Sequence, residues 1–306
     1  MRPLNAGPRF AFVAITLALS AYAAATPTDS PARGAQRDFD WNGELRAGAT
    51  LRVYTVSGTV TVRRSAGGSA RVHGVTVNGD REEIRYVSDR DGGDVRVCAL
   101  RDNSTCDDDG IDSRGGRNNN NRRARANFTV EVPRGVVVRV SSGNGDVAVD
   151  GATADVHAGS GNGDVRVGTG ASRVRASSGN GAVMVDGARG PVNASSGNGR
   201  VTVSTAVGPV EASTGNGSIN VSMAQLRGDG DMEFSSGNGS ITLTLPADFS
   251  AQVEAATGNG SFESDFPLRV VGRMNRHRVS GTIGDGGRRL RISTGNGGIH
   301  LRRAGA

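Results

Sequence analysis

The sequence predicts an all-β chain: a single-stranded β-solenoid, parallel β-helix-like or β-roll-like, with coils of roughly 18 residues. Three observations point there. Gly-Asn-Gly recurs around Asn144, Asn162, Asn180, Asn198, Asn216, Asn238, Asn259 and Asn296, at intervals of 18, 18, 18, 18, 22, 21 and 37 residues. Within a unit, apolar residues alternate with polar ones twice, at Val165 and Val167 and again at Val174 and Ala176, and period two marks strands. Finally, the units are copies of one another. A hairpin does not require its neighbour to resemble it, whereas a stacked coil does.

In chain order, residues 1–25 carry Arg2 and Arg9, an apolar run at 10–19 and the small residues around Ala23-Ala24-Ala25, the pattern of a secretory signal peptide. No other run approaches the ~20 apolar residues of a membrane span. The mature chain is therefore expected to be exported without a transmembrane segment, to the periplasm, the outer surface or the medium. Residues 26–37, rich in Pro, Ser, Ala and Gly, read as a flexible leader.

Residues 38–140 form an N-terminal β region, with alternating runs at 51–53, 60–62, 72–77, 84–87, 95–97 and 128–132. Trp41, the only Trp, is expected to cover the open first coil. Residues 55–62 resemble a repeat unit with Ser57-Gly58-Thr59 at the corner, so stacking can begin there. Residues 102–125 are rich in Asp, Asn, Arg and Gly and read as an exposed, disordered insertion. Cys98 and Cys106 are the only cysteines of an exported chain, with seven residues between them. They are expected to form a local disulfide that closes this loop.

Residues 141–303 are the Gly-Asn-Gly solenoid. Parity places Val147/Val149, Val165/Val167, Val183/Val185, Val201/Val203, Ile219/Val221, Ile241/Leu243 and Ile299/Leu301 inside. They face Val156/Ala158/Ser160, Val174/Ala176/Ser178, Val192/Ala194/Ser196 and their successors. Large residues thus meet small ones, which suits a thin coil whose interior is core, with no room for a ligand. Gly-Asn-Gly is expected at a tight corner because Gly and Asn both tolerate positive φ, and the eight asparagines should stack as an amide ladder along one edge. The 37-residue interval is nearly two units, so a degenerate unit is expected around 279–283.

A net charge of +6 would ordinarily raise nucleic acid as a partner. All 36 basic residues are Arg, scattered among 30 acids, which reads as coding bias and a solvated surface rather than a nucleic-acid face. Asp107-Asp108-Asp109 on a loop invites calcium, but Thr105 and Gly116 stand where the helix-loop-helix pattern needs an Asp and a Glu. The residue after Gly-Asn-Gly is acidic only at Asp146 and Asp164, so no carboxylate ladder of a calcium roll exists. Of His73, His157, His277 and His300, only His157 has an acid beside it, Asp155, and that reads as a surface ion pair. No nucleophile elbow, metal-ligand pair or phosphate loop appears; no catalytic residue, metal or cofactor is expected.

The export signal, Phe39-Asp40-Trp41, the Cys-containing middle segment, Phe128-Thr129-Val130-Glu131-Val132-Pro133, the serial Gly-Asn-Gly units and the closing Leu290-Arg291-Ile292-Ser293-Thr294-Gly295-Asn296-Gly297 together resemble the bacterial β-strand-repeat family of unknown function that carries the label adhesin. The resemblance covers about residues 38–303 and implies architecture but transfers no site residues. The functional expectation is a non-enzymatic cell-envelope scaffold or adhesin-like binding surface, whose partner is an envelope protein or polysaccharide or, end to end, another copy. A carbohydrate-active β-helix enzyme and an envelope-stress sensor are the alternatives.

Overall fold

Each repeat carries the tetrad Ser/Thr-Gly-Asn-Gly, and its two glycines decide how closely coils can stack. In the computed structural model, which describes residues 38–77, 84–101, 104–112, 124–205, 207–270 and 277–305, the tetrad ends a strand of one sheet and leads into a strand of the other. One coil is Val156–Asn162 followed by Val165–Val167, and the next is Val174–Asn180 followed by Val183–Ala188. The described strands make a thirteen-stranded sheet, a twelve-stranded sheet and a two-stranded ribbon, and the two large sheets enclose an apolar core.

The central coils stack in parallel and in register: Val156 pairs with Val174 and Val174 with Val192, while Val147, Val165, Val183 and Val201 align in the other sheet, with a single register shift between Asp186 and Ala188. Alternate residues are buried, as in the buried-exposed-buried run of Val174–Asn180, so parity alone selects the core. The β-solenoid read from the sequence is the fold of this chain.

Coil spacing excludes side chains at both glycines. A Cβ on Gly179 would lie 2.5 Å from the Gly161 carbonyl oxygen, and one on Gly181 2.2 Å from that of Gly163. Gly181 has φ +158°, yet the asparagine before it ends its strand in register, Asn162 opposite Asn180 and Asn180 opposite Asn198. The expectation that Asn serves the corner through positive φ is thereby corrected: the asparagine is an extended strand residue, and positive φ falls on the second glycine in six units, at Gly145, Gly163, Gly181, Gly217, Gly239 and Gly297. The Ser or Thr is buried and donates to the second glycine of the preceding coil, as Ser178 Oγ does to the Gly163 carbonyl at 2.8 Å.

At both ends, spatial order departs from chain order. Thr50–Thr55 lies between Val137–Asn144 and Asp94–Leu100, and Val60–Arg64 between Val147–Val149 and Arg125–Val132. The strands on either side of residue 140 therefore belong to the same two sheets. At the far end Arg289–Asn296 lies between Met232–Asn238 and Ala251–Asn259. Arg278–Ile283, expected as a degenerate coil, instead runs antiparallel to Ala251–Asn259. Its Val279 and Ile283 are buried by alternation, but it has no Gly-Asn-Gly of its own to turn into a second strand.

Antiparallel strands also close the other end. Asp38–Glu44 pairs with Ser69–Val77, and Arg85–Asp91 with Asp94–Leu100. Phe39 stacks on Tyr86 with ring centroids 5.3 Å apart, and half-buried Trp41 packs on the core. The signal peptide and leader, and residues 102–103 and 113–123 of the insertion, lie outside the described residues.

Candidate binding face

The outward residues of the thirteen-stranded sheet align into columns, because a parallel in-register stack places equivalent residues about 4.8 Å apart. One column runs Arg96, Arg52, Arg139, His157, Arg175. It continues through Asn193, Glu211 and Glu233. Beside it lies a column of small residues, Ser141, Gly159, Ser177, Ser195 and Ser213.

The cationic run is neutralised unevenly. Arg96 meets Asp89 at 2.7 Å and Asp108 at 2.6 Å; Arg52 meets Asp94 at 2.9 Å. Burial would raise the Asp94 pKa, but the Thr50 N–H and Arg52 more than offset it and hold the carboxyl below its ordinary value. Arg139 and Arg175, in contrast, make no ion pair or hydrogen bond among the described residues, and the Arg139 Nε is buried without a partner. Between them sits His157, whose pKa is lowered by burial and then by the fields of Arg139 and Arg175. Asp155 pulls the other way but lies against Arg173, at 3.7 Å, rather than forming the His157 pair read from the sequence.

A short acidic turn overhangs this column. Cys98, in the sheet, is bonded to Cys106, in a two-residue strand that pairs with Ile111–Asp112. Tyr54 Oη donates to the Asp108 carbonyl at 2.9 Å, and Asp107 Oδ1 accepts from the backbone of Asp109 and Gly110. Of the carboxylates that invited calcium, Asp108 is thus engaged by Arg96 and Asp107 by the turn itself. No group of three or more His, Cys, Asp or Glu able to hold a metal occurs among the described residues. Between turn and column lies a groove of about 340 Å³, with Arg139, Ser141, His157, Gly159 and Arg175 on its floor.

The asparagines lie elsewhere, along one edge. Asn162, Asn180, Asn198, Asn216 and Asn238 each donate from Nδ2 to Oδ1 of the asparagine one coil back, at 2.7–2.8 Å. Asn296 then donates to Asn238 and Asn259 to Asn296, so all eight residues from Asn144 onward are joined. The exchanged order at the ends also makes pairs that periodicity does not reveal: His73 with Asp40 at 2.7 Å and His300 with Glu263 at 3.0 Å. Arg139 and Arg175 were not singled out in the sequence, although their shared parity with His157 was a usable signal.

The profile of a family described as Toastrack DUF4097 matches residues 49–302. Among curated proteins none matches. Similar solved structures include a candidate cell adhesion protein from Clostridium sporogenes, at 10% identity and TM-score 0.31, covering 87% of this chain and 99% of that one. Another is a candidate adhesin from Bacteroides fragilis, at 12% identity and TM-score 0.35, covering 89% and 98%.

Proposed function

The chain belongs to the Toastrack DUF4097 family, and from that premise we propose that it is an exported, non-enzymatic scaffold that presents an adhesin-like binding surface in the cell envelope. The observation that carries this reading is the pair Arg139 and Arg175, without ion partners on a rigid sheet face, under a turn tied to that sheet by a disulfide. A guanidinium left without a counter-ion beside paired neighbours is available to a partner. A hydrolase or lyase would need a free acid and base near one another; of the acids around this face, Asp89, Asp94 and Asp108 are held by Arg52 and Arg96, which weighs against that reading without removing Asp109 of the groove wall from it.

The test is retention of envelope material on the immobilised mature chain, compared with a variant carrying both Arg139→Ala and Arg175→Ala. Retention by the wild type and loss in the variant are expected. Equal retention would remove the face from the reading, and release of new reducing ends from envelope polysaccharide would make the chain an enzyme.

A further inference from the structure

We infer that the groove under the Cys98–Cys106 turn binds a linear, carboxylate-bearing polysaccharide, laid along the Arg139–His157–Arg175 column. This rests on the binding reading above and names its ligand. Arg139 and Arg175 are two coils apart, hence roughly 9.6 Å, and point from one column, so two carboxylates on an extended chain can each meet a planar guanidinium fork. The Ser141 and Ser177 hydroxyls beside them can donate to and accept from sugar hydroxyls.

Gly159 supplies an independent sign. Its column carries serine at Ser141, Ser177, Ser195 and Ser213, and a Cβ at Gly159 would meet only ordinary contacts, 3.5 Å from Ser177 Oγ and 3.7 Å from Ser141 Cβ. Stacking therefore does not demand this glycine, unlike those of the tetrads. Its effect is to deepen the floor between the two arginines.

Other occupants fit less well. The strand Val137–Asn144 is bonded on both sides, to Thr50–Thr55 and Val156–Asn162, so a peptide finds no free edge to join. The floor offers no apolar pocket for a protein anchor, since Tyr54, Val140 and Ala158 beneath it are buried. No aromatic face is open for base stacking among the described residues of the groove, which disfavours a single-stranded nucleic acid.

The experiment uses the mature full-length chain and calorimetric titration with polygalacturonate, its methyl ester, neutral dextran and oligo-dT. Polygalacturonate should bind, with its ester and dextran weaker by about tenfold or more, the loss expected of one charge-assisted contact. Arg175→Gln should lose about as much, and Gly159→Ser should weaken binding several-fold while leaving the thermal midpoint unchanged. Equal binding of acid and ester, tighter binding of oligo-dT, or indifference to Gly159→Ser overturns the inference. So does loss of envelope retention after protease treatment of the extract, which would make the partner a protein and leave the binding reading standing. If the wild type retains no envelope material, the binding reading itself fails.

Discussion

Asn198 Nδ2 donates to Asn180 Oδ1 at 2.8 Å, and Asn198 Oδ1 accepts from Asn216 at 2.7 Å. The residue is therefore a two-sided link, and Asn198→Ala removes both bonds. The amides are exposed, so water replaces part of what is lost; a cost of about 1–2 kcal/mol is expected. Asn198→Gly should cost more than Ala rather than less, because the position is extended strand and glycine adds only unfolded-state entropy. Asn144→Ala, at the end of the ladder, should cost about half as much. Urea midpoints at unchanged slope measure all three; an Asn198→Ala midpoint equal to wild type would mean that the ladder contributes nothing.

The tetrad glycines should be far less tolerant. Gly179→Ala drives a Cβ to 2.5 Å from the Gly161 carbonyl oxygen, which is backbone and cannot rotate away. Two coils must separate locally, so about 1–3 kcal/mol or more is expected from overpacking and weakened ladder bonds. Gly159→Ala, on the same strand type but without such a contact, is the control and should be near neutral. Equal thermal midpoints for the two would refute close stacking at the corner.

These contrasts mark what was legible in the sequence. Parity of Val165, Val167, Val174 and Ala176 identified strands, core and coil, because burial by alternation is local. The order of coils at the ends was not legible: Leu51/Val53 with Val60/Val62 repeats the pattern of any other coil, and nothing in such a pattern says which neighbour it stacks on. The same blindness hid the His300–Glu263 pair, 37 positions apart in the chain. The region 279–283 misled because apolar alternation does not distinguish parallel from antiparallel pairing. As for the site, outward Arg139, His157 and Arg175 share one parity position, but their freedom from partners depends on Asp89, Asp94 and Asp108 engaging the two preceding arginines instead.

In the exported protein the bond between Cys98 and Cys106 should be complete, and mass spectrometry finding both alkylated without reduction would refute this. Closing so short a loop should contribute about 2–3 kcal/mol. Replacing both residues, as Cys98→Ala with Cys106→Ser, should free the turn that places Asp108 on Arg96. Loss of polygalacturonate binding larger than the loss from either single arginine variant is not expected, since the turn is a wall rather than the anionic contact.

His157 gives the face a pH dependence with a definite sign. Its folded pKa lies below the ordinary 6.5, through burial and then Arg139 and Arg175. The unfolded chain therefore takes up the proton first as pH falls. The stability held while the imidazole is neutral is complete above about pH 6.5, is lost as pH drops below it, and levels off below the folded pKa. Removing one opposing charge by Arg175→Gln should raise the His157 pKa toward 6.5, read from its imidazole NMR signal. A titration unmoved by that substitution would show that the Arg175 field does not reach the ring.

The exchanged coil order makes a prediction about the C-terminal segment. Arg289–Asn296 and Ile299–Arg303 occupy one whole coil between Met232–Leu245 and the coil formed by Ala251–Asn259 and Phe262–Ser264. Ending the chain after Arg288 leaves two apolar faces, Met232/Phe234 and Val253/Ala255, about 9.6 Å apart across an empty layer. Their registers are interchangeable, because Leu290 pairs with both Met232 and Val253, and Asn296 with both Asn238 and Asn259. Burying the exposed faces favours closure by one coil, so the shortened chain should stay folded with Asn259 bonded directly to Asn238. Ser235 and Ala256 both pair with Ser293, so they are two layers apart in the full chain and should become neighbours after closure. A chain carrying Ser235→Cys and Ala256→Cys should then form a new disulfide only when truncated, since two layers exceed the ~7 Å that a disulfide can span. If the truncated chain forms no such bond and residues 251–264 are cleaved by protease, the outer coil depends on the C-terminal segment and cannot re-seat.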